Sequence, residues 1–186
     1  MEAEPTSARA VLGPWASFLR AARPTVDWSK VGPVLCLDPG ETTGWALFHH
    51  GKLESCGQAA TPNPPDLVAA IREVAEFWQT LANHHPDYAK VLNRIVYEEY
   101  RVRGNKFKEH VGSEVVTIQH IGAIKVIADE LGIGLTKQSA GMVKGFATDV
   151  KLRRWGLYQT NKRHANDAIR HGVYWLLFVA ARAQGG

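Results

Sequence analysis

The apolar positions of this chain switch between two periods, and the switches mark its elements. Val34-Leu35-Cys36-Leu37 is an unbroken apolar run that stops at Asp38-Pro39-Gly40, which predicts a buried strand over 34–37 delivering a carboxylate to its end, followed by a turn. Gly-Trp-Ala-Leu-Phe over 44–48 predicts a second strand, His50-Gly51-Lys52 a turn, and 53–59 a third strand, together an antiparallel meander. After a proline-rich loop at 61–65 the period lengthens: Leu67, Ile71, Val74, Phe77, Trp78 and Leu81 recur at helical spacing over 66–83. A strand over 94–100 follows, in which Ile95 and Val96 lead to Glu98 and Glu99. Next come a basic loop, a long helix over 112–131, a short strand over 132–136, a helix opening over 140–143 and a final helix over 164–182. The expected fold class is α/β: a mixed five-stranded sheet, three antiparallel strands and then parallel ones, flanked by helices.

Residues 1–32, with Pro5, Pro14 and Pro24 and a short amphipathic stretch at 16–22, read as an N-terminal extension to a domain over 33–186. No apolar run approaches the roughly 18–20 residues that span a bilayer. The most apolar helical stretch, 173–181, is short and lies between Arg170 and Arg182. The N-terminus carries no basic segment ahead of an apolar one, so the expectation is a cytoplasmic protein without a membrane partner. Cys36 and Cys56 are too few for a zinc site; Cys36 in its apolar run reads as a small buried hydrophobe.

Net charge is only +4, but it is unevenly spread. Residues 1–100 hold 8 Lys/Arg against 12 Asp/Glu, whereas residues 101–186 hold 14 against 6. A basic half suits a polyanionic partner, and a solvated basic surface accounts for it equally well.

Three carboxylates stand at informative places. Asp38 ends the first strand, Glu98 ends the strand after the first long helix, and Asp167 opens the last helix. They can meet only where strand ends and helix start converge. Carboxylates gathered in that way are costly to bury unless they hold hard cations such as Mg²⁺ or Mn²⁺. A pair of such ions suits phosphodiester hydrolysis. His164 precedes Asp167 by three residues and so shares its helix face, with His171 at i+7 extending it. A histidine there can ligate metal or move a proton, and the sequence leaves both open. Glu98 and Glu99 point to opposite sides of a strand, so only one faces the site; the position after the apolar pair favours Glu98. Each has a plainer reading: Asp38 as turn chemistry, Asp167 as a helix-start acid, His164 as a cap, His171 as a packed residue.

Taken with their neighbours these residues resemble a known family. Leu37-Asp-Pro-Gly-Glu-Thr-Thr-Gly-Trp-Ala46, Tyr97-Glu98-Glu99-Tyr100 and His164-Ala-Asn-Asp-Ala168 resemble three motifs of the RuvC-like Holliday junction resolvases, in the RNase H-like superfamily, and most of all those of bacteriophages. The resemblance runs from about Val34 to Leu177. It implies an RNase H-like fold and a homodimeric, metal-dependent endonuclease acting on branched DNA (four-way junctions, forks, flaps), with two Mg²⁺ or Mn²⁺ per site. Asp38, Glu98 and Asp167 match the metal-binding carboxylates, and His164 matches a fourth position that is an aspartate in many cellular members. Lys144 resembles a lysine near the scissile phosphate and Lys151 a second one. The helix over 112–131 resembles the dimer helix.

The loop Arg101-Val-Arg103-Gly-Asn-Lys106-Phe107-Lys108 sets four cations and one aromatic just past the second motif, suited to phosphate contacts and to stacking on an unpaired base. Lys151, Arg153, Arg154, Lys162 and Arg163 flank the last motif and extend the same DNA-binding expectation. Other readings are a less specific flap, fork or RNA-processing nuclease, and a catalytically inactive DNA-binding relative. The stretch from Asp38 to Gly44 is also similar to the phosphate loop of sugar kinases and actin-like ATPases. Those need a second lobe, and they give no reason for His164-x-x-Asp167.

Overall fold

The computed structural model describes residues 13–85, 91–100 and 113–184. Five strands form one sheet in the order β3-β2-β1-β4-β5: β1 (Val34–Asp38), β2 (Thr42–His49), β3 (Lys52–Ala60), β4 (Arg94–Glu99) and β5 (Gly134–Ser139). β1, β2 and β3 pair antiparallel, whereas β4 joins β1, and β5 joins β4, in parallel. This is the mixed sheet that the hydrophobic pattern predicts.

Strand parity divides the core into two layers. Val34, Cys36, Ala46, Phe48 and Val96 belong to one buried cluster, completed by Ala168, Ile169 and Val173 of α6 (Arg163–Trp175). Leu35, Leu37, Leu47, Ile95 and Tyr97 point the other way, toward α2 (Pro64–His84) and α3 (Ser113–Glu130), where they meet Leu67, Ile71, Trp78, Ile124 and Ile127. Successive side chains alternate faces, so Asp38 continues the row of Cys36, and Glu98 that of Val96. Both carboxylates therefore stand on the α6 side.

The segment ahead of β1 is packed. Helix α1 (Pro14–Ala22) and the 3₁₀ turn Trp28–Lys30 bury Trp15, Leu19 and Trp28 in the α6-side cluster, and Trp15 donates its indole N–H to Gly51 O at 2.8 Å. Between β5 and α6 lie α4 (Ala140–Phe146) and α5 (Asp149–Arg154), the latter started by Thr148, whose side chain accepts from the Lys151 amide. After α6 the chain widens into a π-helical turn, Leu176–Ala180, and ends in α7 (Ala181–Gln184).

Two expectations shift. The strand expected over 132–136 runs instead over Gly134–Ser139, because Gly132 belongs to the end of α3. With φ +66, Gly132 donates to Asp129 O while Ile133 donates to Ala128 O, the paired bonds of a Schellman cap. Helix α5 was not expected at all: six residues are too few to establish a period. Among the described residues, no helix is long and apolar enough to cross a membrane.

Candidate active site at one end of the sheet

Glycine positions set how close α6 can come. A Cβ on Gly44 of β2 would lie 2.0 Å from His164 O, and one on Gly172 would lie 2.1 Å from the Phe48 ring. A side chain at either position would hold the helix off the strands. The His164 amide donates to Gln58 Oε1 of β3 at 3.2 Å, fixing where the helix starts. The turn after Asp38 is pinned by a threonine pair: the Thr43 and Thr61 hydroxyls lie 2.6 Å apart, one donating to the other, and the second donates to Gly40 O, which lies 3.1 Å from Thr43 and 2.9 Å from Thr61.

With α6 seated in this way, the three sequence-predicted carboxylates come to one place. His164 Nδ1 lies 2.8 Å from Asp38 Oδ2. Lys144 of α4 reaches in with Nζ 3.1 Å from Asp167 Oδ2 and 3.6 Å from Glu98 Oε2. Glu99, on the opposite face, pairs with Lys137 at 2.9 Å. Parity thus separates the two neighbouring glutamates.

The electrostatics follow from crowding negative charge in a partly buried place. Burial pushes the Asp38 carboxyl above its ordinary range, and the charges of Glu98 and Asp167 push the same way against the His164 hydrogen bond. Burial also acts upward on Glu98, but His171 and the Lys144 ammonium outweigh it and hold that carboxyl below the usual range. Burial would lower Lys144, yet Glu98 and Asp167 hold its ammonium above the ordinary lysine value.

Each carboxylate is turned toward a protein donor. Asp38 faces His164, Glu98 faces His171 and Lys144, and Asp167 faces Lys144 and Arg170. Accordingly, among the described residues no three His, Cys, Asp or Glu side chains are drawn together as tightly as a metal ion's coordination sphere requires. The donor set nonetheless fits a hard cation. It is made of carboxylate oxygens, and the charges of Glu98 and Asp167 already push the Asp38 carboxyl upward.

A cleft of about 800 Å³ opens beside Asp167, lined among others by Lys144, Tyr158, Asn161, Lys162 and Arg163. Lys162 and Arg163 are exposed at its edge. Arg154 is also exposed, and Arg153 lays its guanidinium over the Tyr158 ring at 3.6 Å. Lys151 is tied back, donating to Phe146 O at 2.7 Å with its ammonium over the Phe146 ring. The expected loop contacts Arg101, Arg103, Lys106, Phe107 and Lys108 lie outside the described residues.

Two residues near the site escape the sequence reading. Gln138 enters only once β5 is placed correctly, since parity then puts it on the α6 side opposite Glu98. Arg170, one turn after Asp167, is buried; it binds Asp167 and Asp149 and donates to Ala147 O at 2.9 Å. Its spacing from Asp167 was the available signal, but the surrounding apolar run gave it the look of a helix flank.

No family model matches this sequence, and no curated protein matches it. Among solved structures, RuvC of T. thermophilus in complex with a Holliday junction substrate is similar with a TM-score of 0.54 at 18% identity, over 84% of this chain and 97% of that one. A Thermus thermophilus RuvC structure is similar with a TM-score of 0.50, also at 18% identity, over 80% of this chain and 95% of the other. With its antiparallel-then-parallel five-stranded sheet packed between helices, the chain has the RNase H-like fold of these RuvC structures.

Proposed function

We propose that the protein is a divalent-metal-dependent endodeoxyribonuclease that resolves four-way DNA junctions, a RuvC-like resolvase of the bacteriophage type. The observation that carries the reading is the meeting of Asp38, Glu98 and Asp167, from β1, β4 and α6, beside Lys144 at one end of the sheet. Asp38, Glu98 and Asp167 would hold the metal, with His164 as a fourth member. Two Mg²⁺ or Mn²⁺ held there would supply an activated water and charge stabilisation at the leaving oxygen. His164, 2.8 Å from Asp38, is held where it can ligate or hold a proton beside that carboxylate. Lys144 brings a cation to the mouth of the cleft, where a phosphate would lie.

Branched DNA as the substrate is supported by the exposed cations Arg154, Lys162 and Arg163 on the α6 side, together with the surplus of base in residues 101–186. It is supported further by a similarly folded RuvC having been solved with a Holliday junction substrate. Homodimerisation is supported by α3. One side of it is buried at His120, Ile124, Ile127 and Ala128, while Val115, Ile118 and Val126 stand 47%, 49% and 68% exposed on the other. An apolar stripe of that kind on a well-packed helix suits a second copy.

The reading is tested by offering the purified protein a four-way junction, a Y-fork, a flap, linear duplex and an RNA–DNA hybrid in Mg²⁺ or Mn²⁺. Paired symmetric nicks in the junction are expected. Preferential cutting of flaps or of the hybrid would replace the resolvase by a less specific nuclease, and no cutting of any substrate would remove the enzyme reading.

A further inference from the structure

His164, Asp167 and His171 share one side of α6 by their i, i+3, i+7 spacing. The first two belong to the site described above. His171 is different: its ring is fully buried. Its Nε2 lies 3.3 Å from Glu98 Oε2 and its Nδ1 2.9 Å from Gln138 Oε1. Gln138 is itself 4% exposed and stands opposite Glu98 in the β4–β5 register, on the same face of the sheet. Glu98, Gln138 and His171 thus close a triangle in which strand pairing fixes two corners.

Burying an imidazole and an amide costs free energy unless their polar atoms are bonded. In this one orientation both ring nitrogens lie within hydrogen-bond distance of the two side chains. A neutral ring donates from Nε2 to Glu98 and accepts at Nδ1 once the Gln138 amide is turned so that its Nε2, otherwise buried without a partner, donates. The ring is thus held, and it holds Glu98 in turn. With no exposure and both nitrogens engaged, His171 is not placed to touch DNA. We propose that His171, braced by Gln138, is a positioning residue that fixes the Glu98 carboxylate and thereby sets the affinity of the carboxylate cluster for a divalent cation. This rests on the nuclease reading above. A glutamate left to sample its rotamers must be ordered when it ligates, and outer partners of metal ligands typically govern about 10–100-fold in affinity or activity.

The test measures Mn²⁺ binding to the DNA-free protein by electron paramagnetic resonance, alongside Mg²⁺ titrations of junction cleavage, for the parent, His171→Gln, Gln138→Leu and the double variant. His171→Gln is expected to weaken Mn²⁺ binding by roughly 10–100-fold and to move the Mg²⁺ requirement upward by a similar factor, with most of the rate restored at saturating metal. Gln138→Leu is expected to do the same to a lesser degree, and the double variant to resemble His171→Gln, because the two act as a unit. Ile169→Val, a core change on the same helix, is expected to lower Tm without altering Mn²⁺ affinity. Unchanged Mn²⁺ affinity in folded His171→Gln overturns the positioning role and leaves the nuclease reading standing. Should His171→Gln not fold, unchanged affinity in Gln138→Leu overturns it equally. A parent that binds no Mn²⁺ and cuts no junction overturns both.

Discussion

Asp38 shows how one residue's environment ties function to stability. Its carboxyl is raised by burial and by the charges of Glu98 and Asp167. In the unfolded chain it would titrate near the ordinary aspartate value of about 3.9. Because the folded value is the higher one, ionising Asp38 costs the fold stability as pH rises from the unfolded value through the folded one, and the cost is complete above both. Asp38→Asn removes that cost. In EDTA its Tm is therefore expected to exceed the parent's at neutral pH, with the gap closing as pH falls through the acidic range. Mg²⁺ is expected to raise the Tm of the parent but not of the variant. A lower neutral Tm for Asp38→Asn, measured by thermal denaturation across pH, would contradict the view that negative charge is crowded at this site.

The elements were legible to differing depths, for physical reasons. Long periodic segments such as α2 declare themselves because one face is apolar over several turns and Asn63 accepts from the Asp66 amide at the start. β5 was displaced because Gly132-Ile-Gly looks like the opening of a strand when the first glycine is a helix cap. Gln138 was hidden by the same error, whereas Asp38 and Glu98 were found because apolar runs lead directly into them. The seating of α6 was visible only in part: Gly44 appears in the sequence as one letter of a motif, and the structure gives its reason, the backbone of His164 lying where a Cβ would be. Gly44→Ala must push the start of α6 off β2. The expected result is a loss of about 1–3 kcal/mol, the range for overpacking, together with loss of junction cleavage, as seen in urea denaturation and activity assays. A variant of parental stability and activity would show that α6 does not need this close approach.

At the scale of the whole molecule, the sheet brings distant sequence together. β1 and β4 are neighbours in parallel, and α6 lies across them, so residues 38, 98 and 167 meet though 129 positions separate the first from the last. The candidate site lies where the chain is least comfortable: buried and partly buried carboxylates, a buried Arg170 holding Asp167, and a start to α6 whose own cap residue, Lys162, makes no side-chain bond. The opposite side of the sheet, with Leu35, Leu37, Ile95 and Tyr97 under α2 and α3, is ordinary apolar packing. The central claim is that the three carboxylates serve chemistry more than DNA affinity. The most direct measurement compares Asp38→Asn, Glu98→Gln and Asp167→Asn with the parent in binding and Mg²⁺-dependent cutting of one four-way junction. Each variant is expected to bind the junction as the parent does and to lose cleavage by at least roughly 10²–10³-fold, the scale of losing one transition-state stabilising group. Normal cutting by any one of the three would contradict the account.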